Sequence, residues 1–351
     1  MREEALIANL RSLYEGAGYR AYRMRKFEEY SLYLENRDFL LSDFVITFSD
    51  MSGRLLALKP DVTLSIVKGS RATKDAGEKV YYLENVYRLD ERTHEYREIR
   101  QMGLEALGDI DEVQTLEILL LAIQTLEKIN EASVMDISHM GCVKPLILGA
   151  DKKAQREIMN ALSFKSISAL NAATENADLS EESKNALTAL CTLAGDFESG
   201  LTALETLSEN EEYQKAVSEM RVIFEGLKSM GFEKRVRLDF SIGNDLSYYT
   251  GVVFRGYIPS AHRAVLSGGR YDGLSQKFLR GVGALGFALY LNDLESEMTP
   301  AAHADALVTY KDSSDAGEVM KKAAELRKKG LSVRVEKNCP DTGKYSIVVE
   351  V

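Results

Sequence analysis

Alternation of apolar and polar side chains over Lys79–Tyr87, and again over Arg97–Leu107, constrains this chain more than any other feature of its sequence. A period of two marks strands, and the polar residues Glu91–Glu95 supply a connection, so an antiparallel hairpin with a long polar loop is expected. In the second strand Gln101, Gly103 and Glu105 fall on one side and Met102, Leu104 and Ala106 on the other. The apolar side packs. The polar side opens a cleft in which a glycine stands between an amide and a carboxylate, leaving space for a small ligand against the backbone.

The remaining pattern places other elements around that hairpin. Ala5, Leu6, Leu10 and Leu13 recur at helical spacing before Gly16 and Gly18, and two short strands flank a Ser52-Gly53 turn. They deliver Lys59-Pro60-Asp61-Val62-Thr63 to a strand end, with a helix from Thr63 onward. Glu112–Asn130 carries a helical stripe, and a strand follows at Ser133–Ile137. From Asp151 to Met230 the chain is rich in Ala, Leu, Glu and Lys and has no proline, as several helices would be, with Ser180 a candidate N-cap.

Strand character resumes at Arg235–Phe240 and Tyr248–Ile258, which Gly243-Asn244-Asp245 would join as a hairpin turn, and again at Arg263–Ser267 and Val282–Leu289. Past Pro300 a short strand, helix and two further strands make a small α/β appendage. The fold class is therefore α+β: an antiparallel sheet flanked by helices. Residues 1–150 and 231–298 would form the core, 151–230 a helical insertion and 303–351 the appendage.

The balance of 44 Lys+Arg against 54 Asp+Glu gives a formal charge of −10, which disfavours tRNA or another polyanion as partner. The N-terminus has no apolar signal core and no later stretch is long enough for a membrane span, so a cytoplasmic protein is expected. Cys142, Cys191 and Cys339 are far apart and odd in number, which fits reduced packing residues and neither disulfides nor a metal knuckle.

Several residues near the cleft carry possible chemistry. Asp61 and Thr63 offer a carboxylate and a hydroxyl suited to an α-amino group, or they cap the following helix. Arg88, at a strand end, either grips a carboxylate or phosphate or pairs with Asp90 or Glu91. Tyr248 and Tyr249 would point to opposite faces of a strand, one packing and one lining a pocket. Gly268-Gly269 either brings backbone against a ligand or makes a turn.

Taken in order, these segments resemble class II aminoacyl-tRNA synthetases, and histidyl-tRNA synthetase in particular. Leu58-Lys59-Pro60-Asp61-Val62-Thr63 is similar to that family's Leu-Arg-Pro-Glu-Gly-Thr segment, and Tyr87-Arg88 with Arg97–Glu105 is similar to its motif 2. Leu246–Phe254 is similar to the histidine-specific signature, and Gly268–Leu274 to the glycine-rich segment after it. The resemblance extends from the N-terminus to about Glu295. It implies that Asp61, Thr63, Gln101, Glu105, Tyr248 and Tyr249 surround a histidine, with Arg88 beside them.

The departures concern nucleotide chemistry. Asn244-Asp245-Leu246-Ser247-Tyr248-Tyr249 stands where the synthetases have Arg-Gly-Leu-Asp-Tyr-Tyr, so the arginine that assists activation is absent. Gly286–Leu294 departs from Gly-Phe-Ala-Ile-Gly-Leu-Glu-Arg-Leu: Tyr290 replaces a glycine, and Asp293 replaces a phosphate-gripping arginine. A carboxylate there turns an attractive contact into repulsion worth roughly several kcal/mol, and adenylate formation should be lost.

An eroded ATP grip, a retained amino-acid pocket and a short C-terminal region resemble the regulatory subunits of ATP phosphoribosyltransferase. That likeness implies the synthetase fold without its activity, no cofactor or metal, and pairing with itself as a dimer. It also implies a short-form catalytic subunit as partner and histidine as feedback effector. The chain has no acidic pair with a Gly/Thr-rich diphosphate loop for catalysing that reaction itself. The alternative is a divergent ligase that still activates histidine or a related amino acid.

Overall fold

The computed structural model describes residues 3–40, 44–90, 93–243, 248–294, 297, 304–339 and 345–351, with backbone alone at Asp38. Helix α1 (Glu3–Gly16) buries Leu6, Ile7, Leu10 and Tyr14 on one stripe. Strands β1 (Arg20–Ala21) and β2 (Phe27–Glu29), helix α2 (Tyr30–Leu34), strands β3 (Thr47–Ser49) and β4 (Leu55–Leu58), and helix α3 (Thr63–Gly69) lead to the hairpin. Its strands are β5 (Glu78–Asp90) and β6 (Glu95–Gly108). Both are longer than the alternation alone marks, because Arg88–Asp90 still pairs with Glu95–Arg97 and leaves a connection of four residues, 91–94.

Helix α4 (Glu112–Glu127) and strand β7 (Val134–His139) follow. The proline-free stretch holds α5 (Lys152–Ser163), α6 (Ile167–Thr174), α7 (Glu181–Thr192), strand β8 (Ala194–Asp196), α8 (Phe197–Leu204) and α9 (Glu211–Ser229). Each of these helices is entered through Asp151, Ser166, Ser180, Asp196 or Asn210, whose side chain accepts a first-turn N–H. Next come β9 (Val236–Asp239), β10 (Val252–Tyr257), β11 (Leu266–Arg270), α10 (Asp272–Phe278) and β12 (Gly283–Tyr290).

Among the described residues the main sheet runs β1-β5-β6-β12-β11-β10-β7-β9-β8. Only β1 with β5 and β7 with β9 pair in parallel. The expected β9–β10 hairpin does not form, since β7 lies between them. Local turn chemistry at Gly243–Asp245 carried no information about β7, whose Met135 and Ile137 are fully buried and which takes a central place. Asn244 and Asp245 themselves lie outside the described residues. Gly268 and Gly269 sit inside β11 and make no turn.

One face of the sheet is apolar. Met102, Leu104 and Ala106 are buried there, Tyr14 of α1 meets Phe287 edge-on at 6.2 Å, and the Tyr14 hydroxyl bonds Thr125 of α4 at 2.9 Å. The other face carries Gln101 and Glu105, with α3 against it in a cluster that includes Leu64, Val67, Tyr82, Tyr248 and Tyr271. Between β4 and α3, buried Lys59 pairs with Glu84 of β5.

Two compact units divide the chain: Leu6–Glu295, and Ser296–Val351 with Met1–Ala5. In the second, β13 (Ala306–Tyr310), α11 (Ala316–Lys328), β14 (Val333–Lys337) and β15 (Ile347–Glu350) form a parallel sheet, order β14-β13-β15, with a core of Ala306, Val308, Val319, Ala323 and Leu326. Among the described residues no helix is long and apolar enough to cross a membrane.

Candidate functional site

Strand register builds the floor of the site. On the polar face Gln101 lies opposite Tyr290, Gly103 opposite Ala288 and Glu105 opposite Gly286, while Gly269 of β11 flanks Gly286. The glycines are demanded by contact. A Cβ on Gly286 would stand 1.7 Å from Glu105 Oε2, and one on Gly269 would stand 2.7 Å from the Tyr249 ring. Carboxylate and ring therefore lie on bare backbone. Gly103 has a different use from the one its sequence position suggests: the space over it is taken by the Tyr82 hydroxyl, 2.6 Å from where a Cβ would be.

The walls come from the neighbouring elements. Asp61, at the β4–α3 junction, accepts from Leu64 N at 2.8 Å and also lines the cavity, so capping and site placement hold together. Thr63 donates to Glu105 at 2.8 Å, and the Tyr271 hydroxyl donates to its other oxygen. Arg88 donates from Nε to Pro60 O at 2.7 Å, and its guanidinium stands 3.7 Å from Asp61. It does not pair with Asp90, which Arg97 takes at 3.1 Å.

Tyr248 and Tyr249 precede β10, so strand alternation does not govern them and both line the cavity, their rings 4.8 Å apart at 80°. Lys144 donates to the Tyr249 carbonyl at 2.6 Å. The structure thus gathers all of the sequence-stated residues, Asp61, Thr63, Arg88, Gln101, Glu105 and both tyrosines, around one cavity of about 50 Å³.

Burial pushes the Glu105 carboxyl up to about 8 against the hydroxyls of Tyr271 and Thr63, with Asp61 adding to the rise. Asp61 is raised as well, by burial that outweighs Arg88 and the α3 amides. Burial also raises the hydroxyls of Tyr248 and Tyr271, which makes them neutral hydrogen-bonding groups. Gln101, which lines this cavity, is 2% exposed, and its Nε2 has no hydrogen-bond partner. A cavity lined by a residue with a buried unpaired donor and by two carboxylates favours a small ligand bearing both a cation and an acceptor.

A second cavity of about 600 Å³ adjoins the first, and Arg88 and Tyr290 line both. Its other charged residues include Arg97, Arg263, Asp90 and Asp293. Arg263 forms an ion pair with Asp293, so two of its three guanidiniums are held by carboxylates of the cavity itself. The Asn244–Ser247 departure lies outside the described residues.

Sequence reasoning missed Tyr271, Tyr82 and Ser267 as lining residues. Tyr82 was within reach: it lies opposite Gly103 in the hairpin, hence on the polar face. Tyr271 stands one residue beyond β11, where alternation no longer assigns a side.

Comparisons with known proteins identify the family. A family model described as histidyl-tRNA synthetase matches residues 1–294. An ATP phosphoribosyltransferase regulatory subunit from Moorella thermoacetica is 31% identical over 296 residues, covering 82% of this chain and 75% of the relative. Two solved structures share the fold. An ATP phosphoribosyltransferase regulatory subunit/histidyl-tRNA synthetase from Bacillus halodurans C superposes with a TM-score of 0.81 at 24% identity, covering 99% and 93% of the two chains. An ATP phosphoribosyl transferase complex from Thermotoga maritima contains a chain with a TM-score of 0.65 at 18% identity, covering 83% and 97%.

Proposed function

Since the chain belongs to the histidyl-tRNA synthetase family and, within it, to the regulatory subunits of ATP phosphoribosyltransferase, we propose that it regulates a catalytic ATP phosphoribosyltransferase partner. The partner is a short-form catalytic chain that needs this subunit for full activity, and histidine is the feedback effector. One observation carries the reading: the small cavity is lined by buried carboxylates and by Gln101 with its unpaired amide donor, whereas the adjoining cavity pairs Arg263 with Asp293. A phosphate entering the second cavity would have to compete with that carboxylate, so adenylation lacks its electrostatic support.

Histidine would place its ammonium and imidazole among Asp61, Thr63, Glu105 and Gln101, and its carboxylate near Arg88. A volume of about 50 Å³ holds only a few waters, so entry calls for a side chain to yield, and Tyr249 is partly exposed. Feedback then follows if histidine binds one quaternary state of the complex more tightly than another. Self-association is supported by the small sheet β2-β4-β3, which leaves Phe27, Phe48 and Leu55 exposed.

The test is reconstitution. Mixing this chain with a short-form catalytic subunit should raise phosphoribosyl transfer to ATP and render it histidine-sensitive. Histidine-dependent exchange of pyrophosphate into ATP by this chain alone would instead make it a ligase.

A further inference from the structure

The border between the two cavities is built rather than accidental. Along β12 the polar face reads Gly286, Ala288, Tyr290, a series of increasing bulk that ends at the edge of the smaller cavity. Gly286 is kept bare by Glu105, and Ala288 lies opposite Gly103. Tyr290 is fixed at both ends. Its backbone N–H donates to Val265 O at 2.8 Å, and its hydroxyl shares a 2.7 Å hydrogen bond with Ser267 of β11.

Arg88 is the one cation among the described residues that line the smaller cavity, and it too stands at the border. A bound amino acid therefore turns its carboxylate toward Arg88, and so toward the ring of Tyr290. Any group attached to that carboxyl would have to pass the ring to reach the larger cavity, and there it would meet the Asp293 carboxylate.

We infer that Tyr290, held by Ser267, closes the amino-acid cavity on its carboxyl side and selects a free amino acid against derivatives extended at the carboxyl group. The inference rests on the reading of the small cavity as a histidine site. The selection is steric for neutral extensions, and Asp293 adds an electrostatic term against anionic ones.

Two neutral esters that differ only in bulk isolate the ring. Binding of L-histidine, its methyl ester and its benzyl ester to the purified full-length chain is measured by calorimetry, for the natural sequence and for Tyr290→Ala and Ser267→Ala. The readout is the affinity of benzyl over methyl ester, a ratio in which losses common to both cancel. Tyr290→Ala should raise that ratio by about tenfold or more, and Ser267→Ala, which releases the ring without removing it, by a smaller factor.

Thermal melting checks that each variant is folded, and the Ser267 variant serves if the Tyr290 variant is not. An unchanged ratio in folded variants overturns the role of Tyr290 while leaving the histidine site standing. Failure of the natural chain to bind L-histidine at all would overturn the histidine site, and this inference with it.

Discussion

The two cavities on the polar face of the sheet share Arg88 and Tyr290 yet treat charge in opposite ways. In the smaller, two carboxylates are buried and raised, and the amide donor of Gln101 is left unpaired. In the larger, two of three guanidiniums are met by carboxylates of the same cavity. Polar groups that a fold leaves unpaired in a buried place are costly unless something else pairs them, whereas groups already paired need nothing further. The smaller cavity is thus poised for a ligand and the larger is electrostatically closed on itself. A catalyst of adenylation would need both to be open.

Removing the centre of the smaller cavity should have the largest effect. Glu105→Ala deletes the acceptor of Thr63 and Tyr271 and the carboxylate that an ammonium or imidazole would meet. Histidine affinity should fall by about a hundredfold or more, as for other buried charge-assisted contacts, and calorimetry reads it. A loss under fivefold would move the ligand elsewhere. Gly286→Ala attacks the same carboxylate through the backbone, since the added methyl collides with Oε2. Overpacking of this kind costs roughly 1–3 kcal/mol, to be seen as a lower melting temperature with a displaced Glu105.

Much of the smaller cavity was legible because alternation is local: once β6 is a strand, Gln101 and Glu105 must share a face. The fold class followed from the same periodicities. What was not legible depended on neighbours distant in sequence. That β7 separates β9 from β10 is set by pairing across the sheet, and that Arg88 turns to Asp61 is set by where the β4–α3 junction lies. As strand residues Tyr248 and Tyr249 would fall on opposite faces, and that premise fails because β10 starts only at Val252.

A change of pH sharpens the contrast further, because burial in the smaller cavity lifts the Glu105 carboxyl toward neutrality. Glu105 keeps its proton in the folded chain up to about pH 8, while in the unfolded chain it loses it near the ordinary 4.5. Between those values the folded state binds the extra proton. Stability from this group is therefore full below the lower value and is lost as pH rises through the window. Ligand binding has the opposite sign, since a cation prefers the charged carboxylate: histidine affinity should climb between pH 6 and 8 by up to about tenfold per unit. Glu105→Gln should flatten both the melting and the affinity profiles. A pH-independent affinity in the natural chain would show that Glu105 is already charged.

The smallest effect belongs to the larger cavity. Asp293→Ala releases Arg263, which is then able to meet a phosphate, so a triphosphate nucleotide that binds weakly to the natural chain should bind the variant more tightly. Arg263 is 68% exposed at its side chain, and a cation so open to solvent gains little from one partner. The expected improvement is only about two- to fivefold, consistent with an exposed pair worth up to about 1 kcal/mol, and it should fade with added salt. Fluorescent-nucleotide titration at low and high ionic strength measures it. If nucleotide binds the natural chain as well as the variant, the Arg263–Asp293 pair is not what closes this cavity, and its low affinity for phosphate must be sought in the bulk of Tyr290.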